Sequence, residues 1–321
     1  MAINTGCLYG STGTYKTTNL GWLAKHIYSK TKKPVRWITT DAGGYRPILP
    51  FVEAGIIEPL SLINDAQRQP LLYKIVEGYW PKDIENGIRQ SKTMLKPDFS
   101  NVGGYIFEGI TSMSEAIHSL YAGKETGMKA AYKETVSNDF VVEQPNGTNK
   151  LLESTLIGSY SMDSYGLVQQ NMMRNINYSW TLPVEYVWWS GHDLLTENED
   201  SSLGQKVITG VALTGRAATP RLGKHLGTMI HAYSVPLDSG KIEVRYYFTT
   251  HVDNQLKGVT WEAKTRVPGS VIPFLQKEYP LGYFVPKFDS GLDTYISKEE
   301  ELLSKTSDEV LKWKDSVLKG V

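Results

Sequence analysis

Gly10-Ser-Thr-Gly-Thr-Tyr-Lys-Thr17 is the stretch that decides how this chain is read. It fits the pattern G-x-x-x-x-G-K-[ST] at Gly10, Lys16 and Thr17 and departs from it at Tyr15. In that pattern successive backbone N–H groups curl around phosphates, the lysine reaches the terminal phosphate oxygens, and the hydroxyl joins Mg²⁺. Ser11, Thr12, Gly13, Thr14 and Thr18 complete the segment expected to face the phosphates. Position 15 calls for a left-handed backbone, easy for glycine and costing a residue with a side chain about 1 kcal/mol or more. The segment points to nucleoside-triphosphate binding and leaves hydrolysis as a separate question.

The flanks supply the context such a loop needs. Upstream, Ile3 to Tyr9 reads as a strand; downstream, Leu20, Leu23, Ala24 and Ile27 share one face of a helix expected from about Thr17 to Ser29. Lys30 to Pro34 ends that helix, and Val35 to Thr39 is a β-branched run that reads as a buried strand closing on Asp41-Ala-Gly-Gly44. A helix is expected from about Asp65 to Asn86, broken near Pro70 and Pro81. A strand from Val102 to Phe107, ending in Glu108, and a helix from Ser112 to Tyr121 follow. This alternation predicts an α/β fold with a mainly parallel central sheet flanked by helices.

Residues from about 122 to 160 break the rhythm, and Asn146-Gly147 between two extended runs predicts an inserted β-hairpin. A helix from Ser164 to Trp180 then leads through Pro183 into a strand, Val184 to Ser190, which stops at Gly191-His192-Asp193. Next come an acidic loop (Glu197, Glu199, Asp200), strands near 206–213, 228–235 and 242–250, and a turn-rich stretch to about 293. Ser297 to Leu318 carries Leu303, Val310, Trp313 and Val317 at helical spacing and is expected to be a docking or oligomer helix. The division expected is one domain over 1–293, with its insertion at about 122–160, and a helical tail over 294–321.

Composition narrows the partners. The 321 residues are 40% hydrophobic, and 34 basic residues balance 34 acidic ones, so no global charge draws the chain to nucleic acid. A local surface is still available: residues 204–267 hold nine lysines and arginines against four acids, which suits phosphate contact or, equally, solvated strand faces. The single cysteine, Cys7, excludes an intrachain disulfide and sits in an apolar run as a small core residue. No N-terminal leader pattern is present and no apolar run nears the ~18 residues needed to span a bilayer, so a cytoplasmic protein without membrane contact is expected.

Three apolar runs each stop at a titratable side chain: Asp41, Glu108 and His192. Open α/β sheets place ligands at such strand ends. Phosphoryl transfer to water needs a triphosphate cradle, a carboxylate for magnesium, a group that orients water, and positive charge for the transition state. Glu108 stands where aspartate is commoner; magnesium keeps several waters, so the longer side chain can still hold it through one of them. Each residue also has a plainer reading, as a turn, a helix cap or a hydrogen-bonded structural histidine.

With these strand ends, the chain resembles the RecA-like P-loop ATPases carried by bacteriophages, a group that includes single-strand annealing and recombination ATPases. The likeness runs through most of residues 3–270. It rests on Tyr9-Gly-Ser-Thr-Gly-Thr-Tyr-Lys-Thr-Thr18, Ile38-Thr-Thr-Asp-Ala-Gly-Gly44, Tyr105-Ile-Phe-Glu-Gly-Ile-Thr111, Leu182-Pro-Val-Glu-Tyr-Val-Trp-Trp-Ser-Gly-His-Asp193, Pro220-Arg-Leu-Gly-Lys224 and Ala263-Lys-Thr-Arg266. The resemblance implies ATP and Mg²⁺ as ligands, with Lys16 on the phosphates and Thr17 and Glu108 on the metal. It also implies Asp41 activating water, His192 sensing the γ-phosphate, and Lys264 and Arg266 offered to a neighbouring subunit's nucleotide. It further implies a homo-oligomer with nucleotide at subunit interfaces and, for a phage protein, residence in the host cytoplasm. Single-stranded DNA is the expected partner, with Tyr121, Tyr132 and Tyr160 available to stack on unpaired bases. The alternative is a nucleotide-holding assembly protein with slow or no hydrolysis; a small-molecule kinase is the weakest reading.

Overall fold

Residues 4–41, 46–62, 65–122, 131–144, 146–159, 164–198, 206–213, 222–253, 259–269, 271–287, 289–304 and 312 are described by the computed structural model. The strands in chain order are β1 (Asn4–Gly10), β2 (Val35–Thr39), β3 (Ile57–Ser61), β4 (Trp80–Pro81), β5 (Ile84–Glu85), β6 (Ile88–Arg89), β7 (Thr93–Leu95), β8 (Gly104–Glu108), β9 (Ala131–Glu143), β10 (Asn149–Ser159), β11 (Tyr186–Gly191), β12 (Asp193–Asn198), β13 (Lys206–Val211), β14 (Thr228–Pro236), β15 (Ile242–Tyr247), β16 (His251–Asp253), β17 (Val259–Trp261) and β18 (Tyr283–Phe284). The helices are α1 (Lys16–Thr31), α2 (Leu49–Glu53), α3 (Asp65–Val76), α4 (Ile110–Ala122), α5 (Ser164–Thr181), α6 (Ile272–Glu278) and α7 (Leu292–Ser304).

One sheet runs in the order β18-β15-β14-β1-β11-β8-β2-β3. The strands from β14 to β3 are mutually parallel; at one edge β15 pairs antiparallel with β14, and β18 pairs antiparallel with β15 in turn. Alternate residues of each parallel strand enter opposite layers. Cys7, Tyr9, Ile38, Tyr105, Phe107, Val187 and Trp189 pack with Leu71, Met113, Val168 and Met172 of α3, α4 and α5. Leu8, Trp37, Ile106, Trp188 and Ile230 pack with Leu20, Leu23 and Ile27 of α1, Phe274 of α6 and Tyr295 of α7. Strands covered on both faces have no polar side to show, which is why they read as continuous apolar runs. Cys7 is fully buried, and burial pushes its thiol up to about 12.

Several expectations are corrected. The helix expected to reach Asn86 ends at Val76 and runs through Pro70. It stops because Gly78 turns the chain at φ 96: Tyr79 N–H donates to the Lys74 carbonyl and Gly78 N–H to that of Ile75, both at 2.9 Å. Residues 80–95 then form short strands instead of helix. β3 carries Pro59, which an outermost strand tolerates because it need not donate on its free side. The stretch read as turn-rich contains α6, which has a proline in its first turn. Glu197 lies in β12, opposite Val207, rather than in a loop; Glu199 and Asp200 lie outside the described residues.

The inserted hairpin is present: β9 and β10 pair antiparallel across 144–148, with Glu143 opposite Asn149, and β9 joins them to β7 and β4 in a second sheet. The C-terminal helix begins at Leu292, not Ser297, and its described part docks on its own chain, burying Leu292, Tyr295, Ile296, Glu299 and Leu302. Glu299 accepts from Thr228 at 2.9 Å, Thr265 at 2.5 Å and Arg266 Nε at 2.8 Å. Glu300 accepts from Asn4 at 3.0 Å and Tyr186 at 2.7 Å and pairs with His26 and Lys30. Burial alone would raise the Glu300 carboxyl, but these partners hold it at about 2. Val310, Trp313 and Val317 lie outside the described residues. Among the described residues no helix is long and apolar enough to cross a membrane.

Candidate functional site

The loop after β1 is shaped by its neighbours. Gly10 sits so close to β14 that a Cβ there would lie 1.9 Å from the Ala232 carbonyl oxygen, so no side chain fits. Tyr15 takes the left-handed conformation expected of its position, φ 59 and ψ 23, as the residue capping α1, and it is 59% exposed. Thr14 donates to the Ser11 carbonyl at 2.7 Å, and Tyr246 donates to the Thr14 carbonyl at 2.8 Å. Lys16 Nζ donates to the Gly10 and Ser11 carbonyls at 2.7 Å each, which suspends its ammonium beside the loop. Burial lowers the Lys16 pKa to about 8, against the opposing charges of Asp193, Glu108 and Asp41. The first turn of α1 holds no acid, so its N-terminal positive potential is left for an anion.

Two strands away, β8 delivers Glu108, 3% exposed, with β11 lying between β8 and β1. Its carboxylate accepts the Thr17 hydroxyl and, at 3.2 Å, the Trp37 indole N–H. Burial, helped by the Asp41 charge, raises Glu108 to about 7 although the Thr17 and Trp37 hydrogen bonds oppose it. Asp41 follows β2 and accepts the Ser112 hydroxyl at 2.5 Å; its backbone N–H reaches Thr39 at 3.2 Å. His192 follows β11, and its backbone N–H donates to Thr111 at 3.0 Å.

These residues meet in one cavity of about 470 Å³, lined by Thr12 to Thr18, Asp41, Pro47, Glu108, Gly109, Ser190, Gly191 and His192. The loop and all three strand ends are thus brought together. Lys264 and Arg266 are not. β14 runs parallel to β1 with Ala232 beside Gly10, whereas Lys264 pairs with Met229, about 10 Å back along the strands at ~3.3 Å per residue. Arg266 is held inside its own chain by Glu299 at 2.8 Å, with 12% of its side chain exposed. The side chains of Tyr121 and Tyr132, and Tyr160 altogether, lie outside the described residues, as do Ala42 to Gly44 and Arg221.

Sequence alone assigns no role to Ser112 or Asp193. Asp193 stood in the quoted Gly191-His192-Asp193 segment, and its place directly after a pocket residue was the available signal. Its carboxylate accepts the Ser11 hydroxyl at 2.8 Å. Among the described residues no group of three or more His, Cys, Asp or Glu side chains is arranged to hold a metal. The hydroxyl of Thr17 and the carboxylate of Glu108 are hard oxygen donors on one spot, which fits magnesium held by few side chains and completed by phosphate and water.

No protein-family model and no curated protein matches the chain. Solved structures resemble it in arrangement at low identity. A KaiC-like protein from Pyrococcus horikoshii OT3 aligns over 76% of this chain and 77% of its own, with 9% identity and a TM-score of 0.39. The flagellar accessory protein FlaH from Methanocaldococcus jannaschii aligns over 76% and 78%, with 9% identity and a TM-score of 0.33. The RadB recombinase aligns over 77% and 80%, with 10% identity and a TM-score of 0.36.

Proposed function

We propose that this chain is a RecA-like, Mg²⁺-dependent ATPase of the bacteriophage type that acts on single-stranded DNA in recombination or replication. The observation that carries the reading is the convergence of the phosphate loop with Asp41, Glu108 and His192 on one cavity. Lys16 and the loop amides bind the phosphates, and Thr17 with Glu108 would hold the magnesium ion, whose charge offsets that of the phosphate oxygens. Asp41 is the group to orient water, and His192 the polar side chain positioned to detect the terminal phosphate. The protein acts as a homo-oligomer with ATP at subunit interfaces in the host cytoplasm, and Lys264, half-buried on its own chain, is the cation left for a neighbour's nucleotide.

A specific observation favours a second reading, an assembly protein that holds ATP and cleaves it slowly. Asp41 is already engaged by Ser112 at 2.5 Å, and both oxygens of Glu108 are engaged by Thr17 and Trp37. Phosphate release from ATP, with and without single-stranded DNA and beside Lys16→Ala, separates the two. Turnover stimulated by DNA and lost in the variant supports the ATPase reading; bound, intact ATP with no release under either condition supports the second.

A further inference from the structure

Asp193 opens β12 directly after His192, and its Oδ2 accepts the Ser11 hydroxyl at 2.8 Å. The same oxygen lies 3.6 Å from Nε2 of His231, beyond hydrogen-bond length. His231 is completely buried, and among the described residues neither of its ring nitrogens makes a hydrogen bond. Buried ring nitrogens without a hydrogen bond cost free energy, and the Asp193 carboxylate is the charged group set beside one of them. The ring's place is fixed by stacking on Tyr9 at 4.7 Å, Trp261 at 4.4 Å and His251 at 5.2 Å. On the other side, the Ser11 carbonyl takes both the Lys16 ammonium and the Thr14 hydroxyl, each at 2.7 Å. A continuous line therefore runs from a rigid aromatic stack, through Asp193 and Ser11, to the lysine of the phosphate loop.

We propose that Asp193, backed by His231, is a positioning residue that holds the phosphate loop in its triphosphate-binding shape through Ser11. The assignment rests on the triphosphate reading above. Neither side chain lines the phosphate cavity, so the effect is preorganisation rather than ligand contact. Asp193 is also the largest of the opposite charges that counter the effect of burial on Lys16.

The test is calorimetric titration of Mg²⁺ with AMP-PNP, with a thermal melt of each variant to establish folding. Asp193→Ala is expected to weaken binding about tenfold, the size of one lost charge-assisted hydrogen bond. Asp193→Asn, whose amide oxygen still accepts from Ser11, is expected to restore binding to within about threefold of wild type. Ser11→Ala is expected to match Asp193→Ala, and the double variant to be no weaker than either, because both remove one interaction. His231→Phe keeps the stack, removes the nitrogens, and is expected to weaken binding only where Asp193 is present. A folded Asp193→Ala or Ser11→Ala protein that binds as tightly as wild type overturns the assignment, as do losses that multiply in the double variant. Should Asp193→Ala not fold, Asp193→Asn and Ser11→Ala decide: Asp193→Asn within about threefold of wild type with Ser11→Ala about tenfold weaker supports the assignment, and Ser11→Ala as tight as wild type, or Asp193→Asn as weak as Ser11→Ala, overturns it. Wild type binding no triphosphate at all overturns the nucleotide reading itself and this role with it, a result distinct from intact binding that ignores Asp193.

Discussion

Replacing Glu108 by glutamine removes a carboxyl that the fold raises from an ordinary 4.5 to about 7, chiefly by burial. In the unfolded chain this group ionises near 4.5; in the folded protein it keeps its proton until about 7. Between those values the folded state binds more protons, so the stability contributed by this group is complete below 4.5 and is lost as pH rises through about 7. The gap from 4.5 to about 7, at ~1.36 kcal/mol per unit, amounts to about 3 kcal/mol. Glutamine also disturbs the bonds from Thr17 and Trp37, but that cost does not depend on pH and cancels when two pH values are compared. Urea unfolding of the ligand-free proteins at pH 4.5 and pH 8 reads the effect, with pH values bracketing the shift. Wild type should lose about 3 kcal/mol more than Glu108→Gln over that interval. Parallel pH dependences, or a wild type that gains stability relative to the variant as pH rises, would refute the reasoning.

Tyr15→Gly relieves a left-handed backbone at φ 59 and should raise stability by about 1 kcal/mol, read as a higher melting temperature; a lower one contradicts the strain. Arg266→Ala leaves Glu299, 0% exposed, without its cation and should cost about 3–5 kcal/mol in urea unfolding. A change below 1 kcal/mol on the scale of surface pairs would show that the pair is not buried. Triphosphate affinity needs a charged Lys16, whose pKa is about 8 when free, so affinity measured from pH 7 to 9.5 should fall above that value. A flat profile would place the ammonium away from the phosphates.

How much of this was legible depended on where each constraint lies in the chain. β1, the loop, α1 and β2 were read almost to the residue because a doubly covered parallel strand is an uninterrupted apolar run and α1 buries one regular face. Asp41, Glu108 and His192 were visible as the polar stops of such runs, and parallel strands carry those stops to the same, carboxyl end of the sheet. β3 was hidden because Ile57-Glu-Pro-Leu-Ser61 is neither continuous nor free of proline, a licence that only its edge position grants. The end of α3 was misjudged by weighing prolines above Gly78, whose φ of 96 is what stops the helix. The Ser11–Asp193 contact joins residues far apart in sequence and exists only because β11 pairs with β1. The Arg266–Glu299 contact was hidden for the same kind of reason, since Glu299 comes from a helix read only as a docking or oligomer helix, with no local signal of the residue it meets.

The central claim is that the cavity around Lys16 binds a magnesium triphosphate, and equilibrium titration of wild type and Lys16→Ala with Mg²⁺ and AMP-PNP tests it most directly. Saturable binding by wild type at about one nucleotide per chain, weakened at least about a hundredfold in the variant, is the result expected from losing the buried ammonium at the phosphates. No binding by wild type, or equal binding by a folded Lys16→Ala protein, would contradict it.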